Sequence, residues 1–308
     1  MEFDLLVAGE LNADVVVECG DVRPTFGQVE ELVEDATIVL GSSGAITACG
    51  AARLGARVAM AGVVGDDWLG DFVLDRLAER GVDTRYCLRR PGRRTGMTVV
   101  LGARGDRAML TFPGEIGRLA AADVPAEALA AARHLHVSSY FLQYDLWAGL
   151  PALVKEFAGT TSVDPNWDPS RSFDHGLPAL LPHLDYLLPN EQEAEHIARA
   201  NGGPLTCGLV VKRGGDGATL NLPGGTALGV DAPAITPVDT TGAGDSFDAG
   251  FLATLLRGGT HAEALRVASA CGALSTQGLG GTAAQPTLPE ALELAGTLTV
   301  HDLQETQK

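Results

Sequence analysis

Apolar and polar positions alternate along this chain in two rhythms. Short apolar runs of strand length at 3–9, 57–64, 134–139, 160–164, 185–188 and 208–212 are separated by longer stretches with apolar residues three and four apart. The longer stretches predict helices over 43–54, 67–80, 125–132, 191–200, 243–257 and 261–276. The alternation as a whole predicts an α/β protein with a mostly parallel sheet covered by helices. Two segments break the rhythm. Asp14-Val15-Val16-Val17-Glu18 follows the first strand with no helix between, and 96–101 and 107–112 flank the polar run Ala103-Arg104-Gly105-Asp106 as a hairpin. Strands without crossover helices can form a separate small sheet. A β lid is therefore expected over 11–35 and 93–115, on an α/β body made of 1–10, 36–92 and 116–308. A second hairpin, near 218–222 and 226–230, is expected at an edge of the main sheet.

Composition then narrows the class. The chain has 308 residues, 45% of them apolar, which is enough to build a large buried core. Its 22 Lys and Arg against 39 Asp and Glu leave a formal charge of −17. That excess argues against a general nucleic-acid or anionic-membrane binder, which needs a basic face. A few local amides and cations can still hold phosphate inside an acidic protein. Cys19, Cys49, Cys87, Cys207 and Cys271 are scattered with no C-x-x-C pair and read as reduced thiols, not as a zinc or redox site. The acidic start Met1-Glu2-Phe3-Asp4 leads straight into a strand-length run and does not suit a secretory signal. No apolar stretch approaches the roughly 20 residues of a membrane span. The expectation is a cytoplasmic protein acting on small molecules, with neither nucleic acid nor membrane as partner.

One stretch carries chemistry. Residues 237–252 read Pro-Val-Asp-Thr-Thr-Gly-Ala-Gly-Asp-Ser-Phe-Asp-Ala-Gly-Phe-Leu, where Gly242 and Gly244 flank a turn that opens into a helix. Glycines there let backbone N–H groups converge, and the helix N-terminus adds positive potential. Such a cradle suits the charge on a transferred phosphoryl group. Asp245, in the first turn, is placed to accept a proton from a hydroxyl. Taken alone, the same residues also describe a tight turn and an ordinary helix cap.

The longer run resembles the ribokinase-like (PfkB) carbohydrate kinase family, whose hallmark Asp-Thr-x-Gly-Ala-Gly-Asp is matched without a gap by Asp239 through Asp245. Further matches extend the resemblance over nearly the whole chain. They are Gly9-Glu10-Leu11-Asn12-Ala13-Asp14, Gly41-Ser42-Ser43-Gly44-Ala45, Ala51-Ala52-Arg53-Leu54-Gly55, Val64-Gly65-Asp66-Asp67, Asn190 to Glu193 as Asn-x-x-Glu, and Val211-Lys212-Arg213-Gly214-Gly215-Asp216-Gly217. The resemblance implies a three-layer α/β/α sandwich with a small β lid, and an ATP-dependent kinase for a fructose-, ketodeoxygluconate- or ribose-like sugar or sugar acid. It makes Asp245 the base, and Gly242, Ala243 and Gly244 the amide donors to the γ-phosphate. Asn190 and Glu193 would organise Mg2+ and the phosphates, Glu193 through water, while Lys212, Gly214 and Gly217 would border the nucleotide. Asn12, Asp14, Gly41 and Ser42 would hold substrate hydroxyls. Asp239 and Thr241 match positions that hold a monovalent cation, usually K+, in many members. Pairing of two lids into a homodimer is also implied.

Duller readings accompany several of these residues. Acids such as Glu191, Glu193 and Glu195 are common in first helical turns, Lys212 could be the solvated end of a strand, and Asp14 a turn residue. Asp164-Pro165-Asn166 resembles a segment of the sugar-acid and fructose kinase branches and equally describes an Asx turn. Arg104 and Arg107, on the lid hairpin, could pair with a substrate carboxylate or phosphate, or be solvated turn charges. His134 and His136 share a strand face with no further ligands at metal-site spacing and read as structural. Where many members have a sugar-binding asparagine, this chain has Ile46, which points away from ribose and leaves room for a deoxy or keto sugar, a sugar acid or a nucleoside. A nucleoside kinase and a non-catalytic sugar-binding regulator are the alternatives.

Overall fold

The computed structural model describes residues 1–103, 106–203 and 205–303; Arg104 of the lid hairpin lies outside them. The chain opens with β1 (Phe3–Ala8), then β2 (Asn12–Gly20) and β3 (Asp35–Leu40), before α1 (Ser43–Arg53). Next come β4 (Val58–Ala61), β5 (Val63–Gly65), α2 (Trp68–Glu79), β6 (Val82–Asp83) and β7 (Leu88–Arg90), and then the hairpin β8 (Gly96–Ala103) and β9 (Asp106–Phe112). Helices and strands alternate thereafter through α3 (Ala126–Ala131), β10 (Ala132–Val137), α4 (Leu150–Glu156), β11 (Thr160–Val163), α5 (Leu177–Leu180), β12 (Tyr186–Leu187), α6 (Glu191–Asn201) and β13 (Gly208–Lys212). The C-terminal part holds the hairpin β14 (Ala218–Asn221) and β15 (Ala227–Val230), then α7 (Ala243–Leu256), α8 (His261–Ser275), α9 (Leu288–Ala295) and β16 (Val300–Asp302).

Among the described residues, the main sheet runs β16-β15-β14-β13-β12-β11-β10-β1-β4-β6. It is parallel from β13 through β6 and antiparallel across β14, β15 and β16. Central strands such as β1 are almost wholly buried because helices cover both faces. Leu5 and Val7 point to a core shared with α1, α2, α7 and α8, while Phe3, Leu6 and Ala8 point to the opposite core under α3 to α6. A separate sheet, β3-β2-β8-β9, stands apart from this sandwich. No helix among the described residues is long and apolar enough to cross a membrane.

The expected and observed elements differ at a few places. The boundary expected at residue 35 moves, because 35–40 pairs antiparallel with β2, from Glu18↔Asp35 to Ala13↔Leu40, and so belongs to the small sheet. The single strand expected over 57–64 is broken at Gly62, where a side chain would stand 2.7 Å from Leu11 Cδ1; β5 then turns away to pair with β7. The hairpin β14–β15 is not the outermost edge, since β16 pairs beyond it. A three-residue strand with two polar positions carries too little pattern to be seen in sequence.

Helices α7 and α8 cross at close range through glycines. A Cβ on Gly250 would lie 2.9 Å from Ala268 Cα and from Cys271 Sγ, backbone and core atoms with no room to move. Overpacking of this kind costs about 1–3 kcal/mol. We expect Gly250→Val to destabilise the fold by about that amount, read as a lower urea midpoint at unchanged slope.

Candidate active site

The C-terminal ends of the parallel strands, where open α/β sheets bind ligands, bring the chemistry-bearing residues together. Residues 9–14 follow β1, 138–143 follow β10, 164–166 follow β11, Asn190 follows β12 and Lys212 ends β13. Three non-glycine residues here have positive φ: Ser42 at 67°, Ser139 at 48° and Asn166 at 55°. Such conformations are uncommon for non-glycine residues and cluster at functional sites.

The motif stretch forms the floor. Gly242 takes the left-handed conformation (φ 72°) as the cap of α7. A Cβ there would sit 2.7 Å from Gly281 Cα and 3.1 Å from Ile46 Cδ1, so only glycine fits. Gly244 and Asp245 lie in the first turn, whose leading amides have no intrahelical acceptor; the Ala243 amide closes a 3.3 Å turn bond onto the Thr240 carbonyl. Asp245 is half-buried, and its carboxylate accepts a hydrogen bond from Ser43 Oγ. Burial, and then the charge of Asp164, push its pKa up to about 6.

On one side stand Asn12, Asp14 and Gly41. Asn12 Nδ2 donates to Asp14 Oδ1 at 2.8 Å, and Gly41 lies so close that a Cβ would be 2.6 Å from Asp14 Cγ. Burial raises the Asp14 pKa to about 6, opposed by the Asn12 hydrogen bond and supported by the charge of Asp245. Ser42 behaves differently: its hydroxyl donates to the Glu10 carbonyl at 2.7 Å and accepts from the Ala45 amide, capping α1. The serine that faces Asp245 is its neighbour, Ser43. Ile46 is 3% exposed and packs beneath Gly242 and Gly281, so it supports the cradle rather than presenting apolar surface to a ligand.

On the other side a cavity of about 270 Å³ is lined by Lys212, Gly214, Gly217, Ala243, Gly244 and Phe247, among others. Lys212 is also committed inward, with Nζ 2.8 Å from Asp164 Oδ2 and 3.0 Å from Asp248 Oδ2. Those carboxylates hold its pKa above the usual lysine value against the opposing effect of burial. Asn190 and Glu193 form a reciprocal capping box on α6, each side chain bonded at 2.9 Å to the other's amide. Burial, then the charge of Asp164, raise the Glu193 pKa to about 7. Asp164 and Asn166 make the Asx turn, at 2.8 Å, in addition to the lysine pair.

Asp239 braces the motif loop. Oδ1 accepts from the Thr241 amide (2.9 Å) and hydroxyl (2.7 Å), and Oδ2 from the Gly280 amide (2.8 Å). Arg107, from β9 of the small sheet, donates to Thr241 Oγ1 at 2.6 Å and lies 3.7 Å from Asp239 Oδ1. This contact links the two sheets at the cradle. Asp239 and Thr241, the pair expected to hold a monovalent cation, are thus bonded to each other and flanked by Arg107.

Some residues of the site escape sequence reasoning. Glu10 is 5% exposed and accepts from Ser139 Oγ, Gln143 Nε2 and the Ser43 amide; Asp248 is wholly buried beside Lys212. The one available signal for Glu10 is an acid two residues past the apolar run Leu5–Ala8 of β1. His134 and His136 are buried, bonded to Thr160 and Ser162 hydroxyls, and held neutral by burial, with pKa values lowered to about 3 and 4. Among the described residues no cluster of three or more His, Cys, Asp or Glu could hold a metal, and the five cysteines are free.

This geometry can be set beside known proteins. The model of the pfkB family carbohydrate kinases matches residues 3–288. A ribokinase from Bacillus subtilis (strain 168) is 31% identical over 94% of this chain and 99% of its own. A fructokinase from Klebsiella pneumoniae is 33% identical over 80% of this chain and 88% of its own. The crystal structure of a putative ribokinase II from E. coli in complex with ATP and Mg2+ superimposes with a TM-score of 0.82, at 25% identity, covering 96% of this chain and 99% of the other. The motif stretch, the sheet order and these likenesses agree: the chain belongs to the pfkB family of carbohydrate kinases.

Proposed function

We propose that this sugar kinase transfers the γ-phosphoryl group of ATP to a hydroxyl of a small sugar or sugar acid held by Asn12, Asp14 and Gly41, with Asp245 as the base. The observation that carries the reading is the placement of Asp245. Asp245 stands in the first turn of α7, near enough for its charge to act on Asp14 and for that of Lys212 to act on it, and its neighbour Gly244 lines the cavity. In this arrangement Asp245 takes the proton of the acceptor hydroxyl as the oxygen attacks phosphorus. The amides of the α7 N-terminus stabilise charge on the migrating group, and the bond to the ADP leaving group breaks in line.

The E. coli neighbour's complex supports ATP and Mg2+ as the donor and its metal. Magnesium is commonly held by one or two carboxylates and the substrate's phosphates. Glu193, buried and capped beside Asn190, suits that role through water, and the metal's contribution is neutralisation of phosphate charge. No step of the proposed reaction passes through potassium. Arg107 supplies positive charge beside Asp239 and Thr241, and in doing so ties the small sheet, acting as a lid, to the cradle. Closure of that lid would exclude water from the transferred group. Met109 and Leu110 on β9 are 61% and 65% exposed, which supports pairing of two lids in a homodimer.

Asp245→Asn, which preserves size, should fold normally and bind ATP but lose at least about a thousandfold in kcat in a coupled ADP-release assay; wild-type turnover would remove Asp245 as the base. Because the base must be ionised and its pKa is raised to about 6, kcat/KM should be level above pH 7 and fall about tenfold per unit below pH 6. The same assay run over hexoses, pentoses, keto-deoxy sugar acids and nucleosides identifies the acceptor. Leu110→Asp should shift the sedimentation coefficient from dimer toward monomer if lids pair.

A further inference from the structure

The reading of Asp245 as base leaves open what holds that carboxylate in register. Two successive serines start α1, and they divide the work. Ser42 caps the helix, so the hydroxyl of Ser43 is not needed for capping. It donates instead to Asp245 Oδ1, across 202 residues of sequence. A hydrogen bond to one carboxylate oxygen fixes the plane of the group and leaves the other oxygen to receive a proton. The Ser43 amide, one of the leading amides of α1 without an intrahelical acceptor, donates to Glu10 Oε1 at 2.8 Å.

Glu10 is itself clamped. Ser139 Oγ donates to Oε1 at 2.9 Å, Gln143 Nε2 to Oε2 at 3.0 Å and Ser138 Oγ to Oε2 at 3.4 Å, while the Glu10 carbonyl accepts from Ser42 Oγ at 2.7 Å. A carboxylate buried at the meeting point of β1, β10 and α1 is costly unless its hydrogen bonds are met. An apolar residue would suffice for packing alone. Glu10 therefore grips the start of α1 through both its carboxylate and its carbonyl, and Ser43 is the residue on that start which touches the base.

We propose that Ser43 is a positioning residue for Asp245 and that Glu10 anchors Ser43. This rests on Asp245 acting as the base. The Ser43 hydrogen bond also pulls the Asp245 pKa downward against burial, so its loss has a signed consequence: less of the base is ionised near pH 6.

The test is Ser43→Ala, with Ser43→Thr as the variant that keeps the hydroxyl and Asp245→Asn run alongside. Ser43→Ala should lower kcat roughly ten- to a hundredfold at little change in the KM for ATP, and move the acid limb of kcat/KM to higher pH by about half a unit or more. Ser43→Thr should restore most of both. In the double variant, Glu10→Ala and Ser43→Ala should not add, because they break one path; additive losses would overturn the role of Glu10. Thermal unfolding checks the fold of each variant, and Ser43→Cys, which keeps the volume with a weaker donor, carries the same readouts should the alanine variant not fold. A folded Ser43→Ala enzyme with wild-type kcat and pH profile, beside an inactive Asp245→Asn, overturns this proposal alone. An active Asp245→Asn enzyme overturns the reading on which it rests.

Discussion

The left-handed turn at Gly242 is the constraint around which this molecule is arranged. It allows α7 to begin abruptly at the ends of the parallel strands, so that the leading amides of the helix and the carboxylate of Asp245 share one small volume. Gly281 and Ile46 press against the turn from below and leave no space for a Cβ. The glycine is thus fixed twice, by its dihedral angles and by its neighbours. Asp239 holds the preceding loop by accepting from Thr241 and Gly280, so the turn is braced on both sides.

A continuous polar path encircles this turn. It runs from Lys212 to Asp164, through Asn166 to Ser139, then to Glu10, Ser43 and Asp245. Its members come from the ends of β13, β11, β10 and β1 and from the starts of α1 and α7. Asp164 and Asp248 are tolerated here because Lys212 answers both, and Glu10 because several N–H and O–H donors meet it. Burial first, and neighbouring negative charge second, raises the pKa values of Asp14, Glu193 and Asp245 to about 6 or 7. Stability and reactivity share one source here: the groups that make the network costly to bury are those poised to exchange protons near neutrality.

Much of this was legible from the chain. Alternating apolar runs located β1, β10, β11, β13 and the long helices to within a residue or two, because a buried parallel strand can be little else. The small sheet was visible as strands lacking crossover helices. The family motif placed Asp245 and its glycines at the head of a helix. Less legible were short elements such as β6, β7 and β16, whose two or three residues carry no period, and the true membership of 35–40, which pairing with β2 decides.

What the sequence determined by itself is therefore the local code: periodicity, turn glycines, and a motif whose order is dictated by how a helix must begin to hold an anion. Which polar groups meet is settled by packing in three dimensions. Ser42 and Ser43 are indistinguishable on paper, yet one caps a helix and the other touches Asp245. Ile46 looks like a lost ligand contact and proves to be a support under Gly242. Lys212 and Glu10 find partners 48 and 129 residues away. Backbone preference acts between neighbours in the chain and can be read there; charge pairing and hydrogen bonding act between neighbours in space, and those are fixed only when the strands and helices have packed.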